Sequence, residues 1–142
     1  VDEHGVGVIF PEGARATPGS RELSLARVAA SCPARGERLR ELRRLLPPRT
    51  AGAAAMLRGN PNADVVMAWH VGFEGLDTFG GILRAIESHV APIRLSLRRV
   101  ERSSIPRSEV DDMEAFVQWI DSEWLRMDRE VDLALIERSS HG

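Results

Sequence analysis

The spacing of apolar positions changes period several times along the chain, and each period predicts an element. Residues 5–10 form an unbroken apolar run rich in β-branched side chains. The run stops at Pro11 and Gly13, which predicts a buried strand entering a loop over 11–20. Residues 21–31 predict a helix, with Leu23, Ala26, Val28 and Ala30 as apolar positions and Pro33 beyond them. Leu39, Leu42 and Leu46, spaced three and four apart, predict a second helix over 37–46 that Pro47 and Pro48 stop. A short helix over 53–58 ends in Gly59-Asn60-Pro61-Asn62. Residues 64–71 read as a strand apolar on both faces, hence interior to a sheet.

A helix over 77–88 follows, despite Gly80 and Gly81. Residues 93–98 alternate strictly and predict a strand with one wet face. Residues 102–108 read as a loop. The C-terminal helix has the most regular pattern. Ser108 and Asp111 resemble a capping box. Met113, Phe116, Val117, Ile120, Trp124, Met127 and Val131 then form one stripe, with the acids expected opposite it. The order strand–helix–helix–strand–helix–strand–helix predicts an α/β fold, a layered sheet with flanking helices, in a single domain over 1–142.

Composition narrows the class. At 142 residues, 43% hydrophobic and 28% charged, the chain has the make-up of one soluble globular domain. No apolar run approaches the roughly 18 residues of a membrane span. The single Cys32 excludes an internal disulfide and a four-cysteine zinc site, and suggests a reducing cytoplasm. Cys32 itself is expected to be a small buried residue. All 19 basic residues are arginine, which with abundant Ala, Gly and Pro suggests the codon bias of a GC-rich bacterial genome.

The net charge of −2 is unevenly distributed. Residues 35–49 hold six Arg, residues 94–107 five, and residues 109–137 ten acids. The segment 35–44 reads first as a solvated helix and second as a face for anionic lipid headgroups. Nucleic acid is disfavoured as a partner, because no aromatic residue lies nearby to stack on bases. If the chain docks on a membrane, the two Arg-rich stretches should face one way and the acidic helix the other.

Candidate chemistry concentrates at residues 6–15. A strand delivering a Pro11-Glu12-Gly13 turn at its C-terminal end is where α/β sheets bind ligands. Gly13 permits a backbone conformation that other residues resist. Arg15 offers a planar fork suited to phosphate, and Glu12 either steadies that guanidinium or accepts a hydroxyl hydrogen bond. An ordinary surface Glu–Arg pair is the plain alternative. Other constellations are weak. Gly5 and Gly7 lack the third glycine of a dinucleotide loop. No Gly-x-Ser-x-Gly elbow occurs. Asp64, His70, Glu74 and Asp77 cluster without a helical metal motif, and His70 reads as a core or strand-end histidine.

Residues 8–15, Val-Ile-Phe-Pro-Glu-Gly-Ala-Arg, resemble the Phe-Pro-Glu-Gly-Thr-Arg block of the glycerolipid acyltransferases, the 1-acylglycerol-3-phosphate acyltransferase type. Residues 45–52, Leu-Leu-Pro-Pro-Arg-Thr-Ala-Gly, resemble the following Leu-Leu-Pro-Arg-Thr-x-Gly block of one branch. Residues 63–73 resemble its next core strand, and Trp119, Trp124 and Asp128 its C-terminal helix. The resemblance implies acyl transfer from acyl-CoA or acyl carrier protein to a lysophospholipid or glycerol-phosphate hydroxyl. Phosphate-binding roles then fall on Glu12, Gly13 and Arg15, with Pro48 and Arg49 shaping the acceptor site. No cofactor is expected, and the lack of a metal-ligand motif leaves no metal expected. The resemblance places the protein in the cytoplasm, peripheral to the inner face of the membrane, with an anionic membrane surface as a further partner. Ala14 stands where the family has Thr, so that hydroxyl is lost.

In the family a His with an Asp five residues later acts as general base. Here the residues five after His4, His70 and His89 are Ile9, Gly75 and Arg94, and only Gly142 follows His141. The expectation is therefore a C-terminal portion of an acyltransferase domain that lacks the upstream His–Asp motif and is inactive alone. The alternative is a non-catalytic phosphate- or lipid-binding α/β domain.

Overall fold

The computed structural model describes residues 5–14, 16–73, 93–107 and 113–140. Three helices come first: α1 (Pro18–Ser31), α2 (Pro33–Leu39) and α3 (Thr50–Gly59). Strands β1 (Val65–Val71) and β2 (Arg94–Val100) follow, then a 3₁₀ turn (Arg102–Ser104) and the long helix α4 (Met113–Ser140). Helices and a two-stranded antiparallel sheet make this a mixed α/β architecture. The expected helix over 77–88, Arg15, Ser108 and Asp111 lie outside the described residues.

Helix α1 starts three residues earlier than its apolar pattern indicates. Thr17 and Ser20 cap it reciprocally, and Pro18 sits in its first turn, where a missing N–H costs nothing. Its inward side is Leu25 and Val28, while Leu23, Ala26 and Ala30 are exposed. Cys32, which joins α1 to α2, is exposed rather than buried. Gly36 lets the two helices meet: a Cβ there would lie 2.6 Å from the Ala29 Cα.

The helix expected over 37–46 instead spans Pro33–Leu39 and then bends. Leu39, Leu42 and Leu46 are all buried, the last two from irregular chain. Asp128 of α4 captures the backbone N–H groups of Arg43, Arg44 and Leu45, which a continuing helix would commit to its own carbonyls.

Residues 5–10 are not a strand. Val6, Val8 and Phe10 are 90%, 74% and 83% exposed. A strand requires a ladder partner, and among the described residues none runs beside this segment. It crosses α3 instead, with Gly7 against Met56 and Ile9 against Gly52.

The sheet departs from expectation in a related way. β1 and β2 pair from Val65↔Val100 to Val71↔Arg94, so among the described residues each is an edge strand rather than an interior one. Val65, Met67, Trp69 and Val71 face inward, while Val66, Ala68 and His70 are exposed. On β2 the inward positions are Ser96, Arg98 and Val100, leaving Leu95 and Leu97 more than 60% exposed. The buried Val100 and the Arg98–Glu123 ion pair fix that choice of face.

α4 organises the core. Phe116 and Ile120 pack with Ala54, Leu57, Val100 and Ile105. Trp124 and Met127 pack with Leu39 and Leu42, and Val131 and Ala134 with Val71. The expected stripe is therefore the buried face. Its acids are not all opposite, because Asp121, Asp128 and Asp132 are buried beside it.

Candidate functional site

The turn after residue 10 closes with the Gly13 N–H donating to the Phe10 carbonyl at 3.1 Å. Gly13 has φ +66°, in the left-handed region that favours glycine. A Cβ there would also lie 3.0 Å from the Arg49 Cζ, so the guanidinium of Arg49 lies against the glycine backbone. The Arg49 N–H donates to the Pro11 carbonyl at 2.9 Å, fastening the two segments together.

Glu12 turns inward. Its Oε1 accepts the Leu46 N–H at 3.1 Å, and the Leu46 carbonyl accepts the Trp124 indole N–H at 2.8 Å. Pro48 is fully buried, and its carbonyl accepts from the Arg35 guanidinium at 2.8 Å. The structure thus brings Glu12, Gly13, Pro48 and Arg49 together. Arg15 lies outside the described residues. Glu12 holds the 42–49 segment, a use of its carboxylate that the sequence did not suggest. Arg49 is exposed, and it alone of the six arginines in 35–49 has no ion-pair partner among the described residues. It precedes α3, whose first turn carries no side-chain cap.

Burial pushes the Glu12 carboxyl above the usual carboxylate range. Hydrogen bonds from Leu46 and Trp124 oppose that shift, and the neighbouring charge of Asp128 adds to it. An acid with a raised folded pKa holds its proton more tightly when folded, so its ionisation destabilises the fold as pH rises through that range. Glu12→Gln keeps an oxygen for the Leu46 N–H and removes the charge. The variant should therefore be more stable than wild type at neutral pH. Thermal melts should show that advantage vanishing by about pH 4, where the wild-type carboxyl is also neutral. A constant difference across the range would refute the assignment.

The remaining arginines are largely occupied. Arg35 makes a forked contact with Asp121 at 2.8–3.1 Å, and Arg38 reaches the same carboxylate at 3.2 Å. Arg43 and Arg44 pair with Asp132 at 3.5 and 2.6 Å. Arg94 pairs with Glu137 at 2.8 Å and Arg98 with Glu123. Arg35, Arg38, Arg43, Arg44, Arg94 and Arg98 therefore face α4, whereas the docking arrangement would turn the acidic helix away from both stretches. The residues sequence reasoning did not single out for this corner are Arg35 and Asp121. Asp128 enters only through the resemblance, and Trp124 through the resemblance and the apolar stripe. The available signal was Asp121, Trp124 and Asp128 at helical spacing, polar groups next to an apolar stripe.

Asp64 is structural as well. The Arg102 N–H and the Arg99 guanidinium hold its carboxyl below the usual range. His70 is exposed near the end of β1, edge-on to Phe73 at 4.9 Å. Among the described residues no group of three or more His, Cys, Asp or Glu is placed to hold a metal ion, and no helix is long and apolar enough to cross a membrane. Comparison with protein-family models, curated proteins and solved structures gives no match to this chain.

Proposed function

We propose that this chain supplies the phosphate-binding part of a glycerolipid-type acyltransferase. The acceptor is a lysophospholipid or glycerol-phosphate hydroxyl, and the donor acyl-CoA or acyl carrier protein. The observation that carries this reading is the packing of the Pro11-Glu12-Gly13 turn against residues 46–49, with an arginine that has no ion-pair partner among the described residues laid over a glycine backbone. Two blocks that resemble consecutive family motifs, more than 30 residues apart in sequence, form one surface. Arg49 provides a planar fork for phosphate, and Gly13 leaves room for it. Arg15, two residues beyond Gly13, is the second proposed phosphate ligand. The protein is proposed to work at the inner membrane surface, with Arg49 among the charges open to anionic headgroups.

Glycerol 3-phosphate tests the reading directly. In an NMR titration the Gly13 amide and Arg49 side-chain signals should shift and saturate. Arg49→Ala should weaken binding by about 1.5–3 kcal/mol, or roughly 10- to 150-fold, and Arg49→Lys should recover only part of this. Equal affinity in wild type and Arg49→Ala, or no saturable shift in wild type, sinks the proposal.

The second reading is a non-catalytic phosphate- or lipid-binding domain. It is favoured by one sequence fact: no histidine here has an aspartate five residues later. Thiol release from acyl-CoA in the presence of lysophosphatidic acid separates the two readings for any polypeptide that contains this chain.

A further inference from the structure

We infer that Asp128 is a positioning residue for the Arg49 guanidinium; the inference rests on the phosphate-site reading above. Asp128 is 2% exposed. Its Oδ2 accepts the Arg43 N–H at 2.9 Å, and its Oδ1 accepts the N–H groups of Arg44 and Leu45 at 2.7 Å each. Three consecutive amides converge on one buried carboxylate, an arrangement that fixes the local backbone as a concave nest. The arginine side chains of these residues turn instead to Asp132, so the charge of Asp128 is committed to main chain.

From that nest to Arg49 the chain has little freedom. The Leu46 N–H goes to Glu12 and its carbonyl to Trp124. Pro47 and Pro48 have locked φ angles and no N–H to satisfy. The Pro48 carbonyl is held by Arg35, and the Arg49 N–H by Pro11. A displacement at residues 43–45 is therefore carried along a stiff four-residue strut to the guanidinium over Gly13. A carboxylate 79 residues further along the chain, on α4, thereby sets the position of the proposed anion ligand.

The test compares Asp128→Asn with Val131→Ala. The second variant also perturbs α4, but at its contact with Val71, away from the strut. Two readouts are taken at a temperature where circular dichroism shows both variants folded. The first is the set of NOE cross-peaks between the Arg49 side chain and Gly13 Hα without ligand. The second is the affinity for glycerol 3-phosphate. Asp128→Asn should lose the cross-peaks and about tenfold in affinity, as expected when charge-assisted bonds to main chain are weakened. Val131→Ala should retain both. Cross-peaks that survive Asp128→Asn, or vanish equally in Val131→Ala, overturn the inference. If wild type binds no glycerol 3-phosphate, the phosphate reading fails, while the cross-peak comparison still decides what Asp128 does.

Discussion

Asp121→Ala is expected to destabilise the protein by about 3–5 kcal/mol. Asp121 is 1% exposed and receives Arg35 through Nε and a terminal nitrogen, with Arg38 adding a third contact. The Arg35 side chain is itself only 16% exposed. Removing the carboxylate strands a largely buried guanidinium, and desolvation of an unpaired ion dominates the cost. A domain of ordinary stability has roughly 5–15 kcal/mol in all, so the loss is a large fraction of the whole. Urea unfolding followed by tryptophan fluorescence gives the value. The double variant Arg35→Met with Asp121→Leu should recover much of the loss, since no uncompensated charge remains. A cost below about 1 kcal/mol for Asp121→Ala would place this contact among ordinary surface ion pairs.

Phe116→Ala should cost a similar amount, about 3–5 kcal/mol, by a different mechanism. Phe116 is fully buried where α4 meets α3, β2 and the turn before Ile105. Its ring lies 5.6 Å from that of Trp119, tilted by 38°. Truncation loses the transfer free energy of the ring and leaves a cavity among Ala54, Leu57 and Ile120. Because Trp119 packs on the vacated side, its emission should shift before global unfolding. Leu133→Ala, at a position 61% exposed on the same helix, serves as the control and should stay within about 0.5 kcal/mol. A Phe116→Ala variant as stable as that control would show that α3 and β2 are not held through α4.

The α4 stripe was legible because its period persists over five turns, and the burial of Phe116, Ile120, Trp124, Met127 and Val131 follows from spacing alone. The strand at 65–71 was legible as an apolar run, but its one-sided burial was not, since Val66 and Ala68 are as apolar as the inward positions and are exposed. Residues 5–10 were not legible, because an apolar run reports a preference for burial and says nothing about whether a neighbouring strand is present to pair with it. Leu39, Leu42 and Leu46 misled differently. Three leucines at helical spacing can all reach a core across a bend, and the cause of the bend, Asp128, lies more than 80 residues away. The same distance hid the pairing of Arg35 with Asp121. Composition counted both charge clusters correctly but held no information about which faces meet. At the candidate site, the special conformation of Gly13 was readable from its place in a tight turn, and Pro48 and Arg49, named only through the resemblance, are held beside that turn. The inward turn of Glu12 was not readable, since it depends on Leu46 and Trp124 converging from distant segments.

The clasp between Arg35 and Asp121 closes 86 residues of chain. A ribosome adds about 5–20 residues per second, so the arginine-rich segment emerges roughly 4–17 s before the carboxylate that neutralises it. During that interval Arg35, Arg38, Arg43 and Arg44 are exposed to whatever anionic surface is nearest, including the ribosome's own RNA. Synthesis of α4 therefore does more than complete a core. It supplies the internal counterions that release the earlier segment from such encounters, which makes the emergence of α4 the step that commits α1, α2 and α3 to their places.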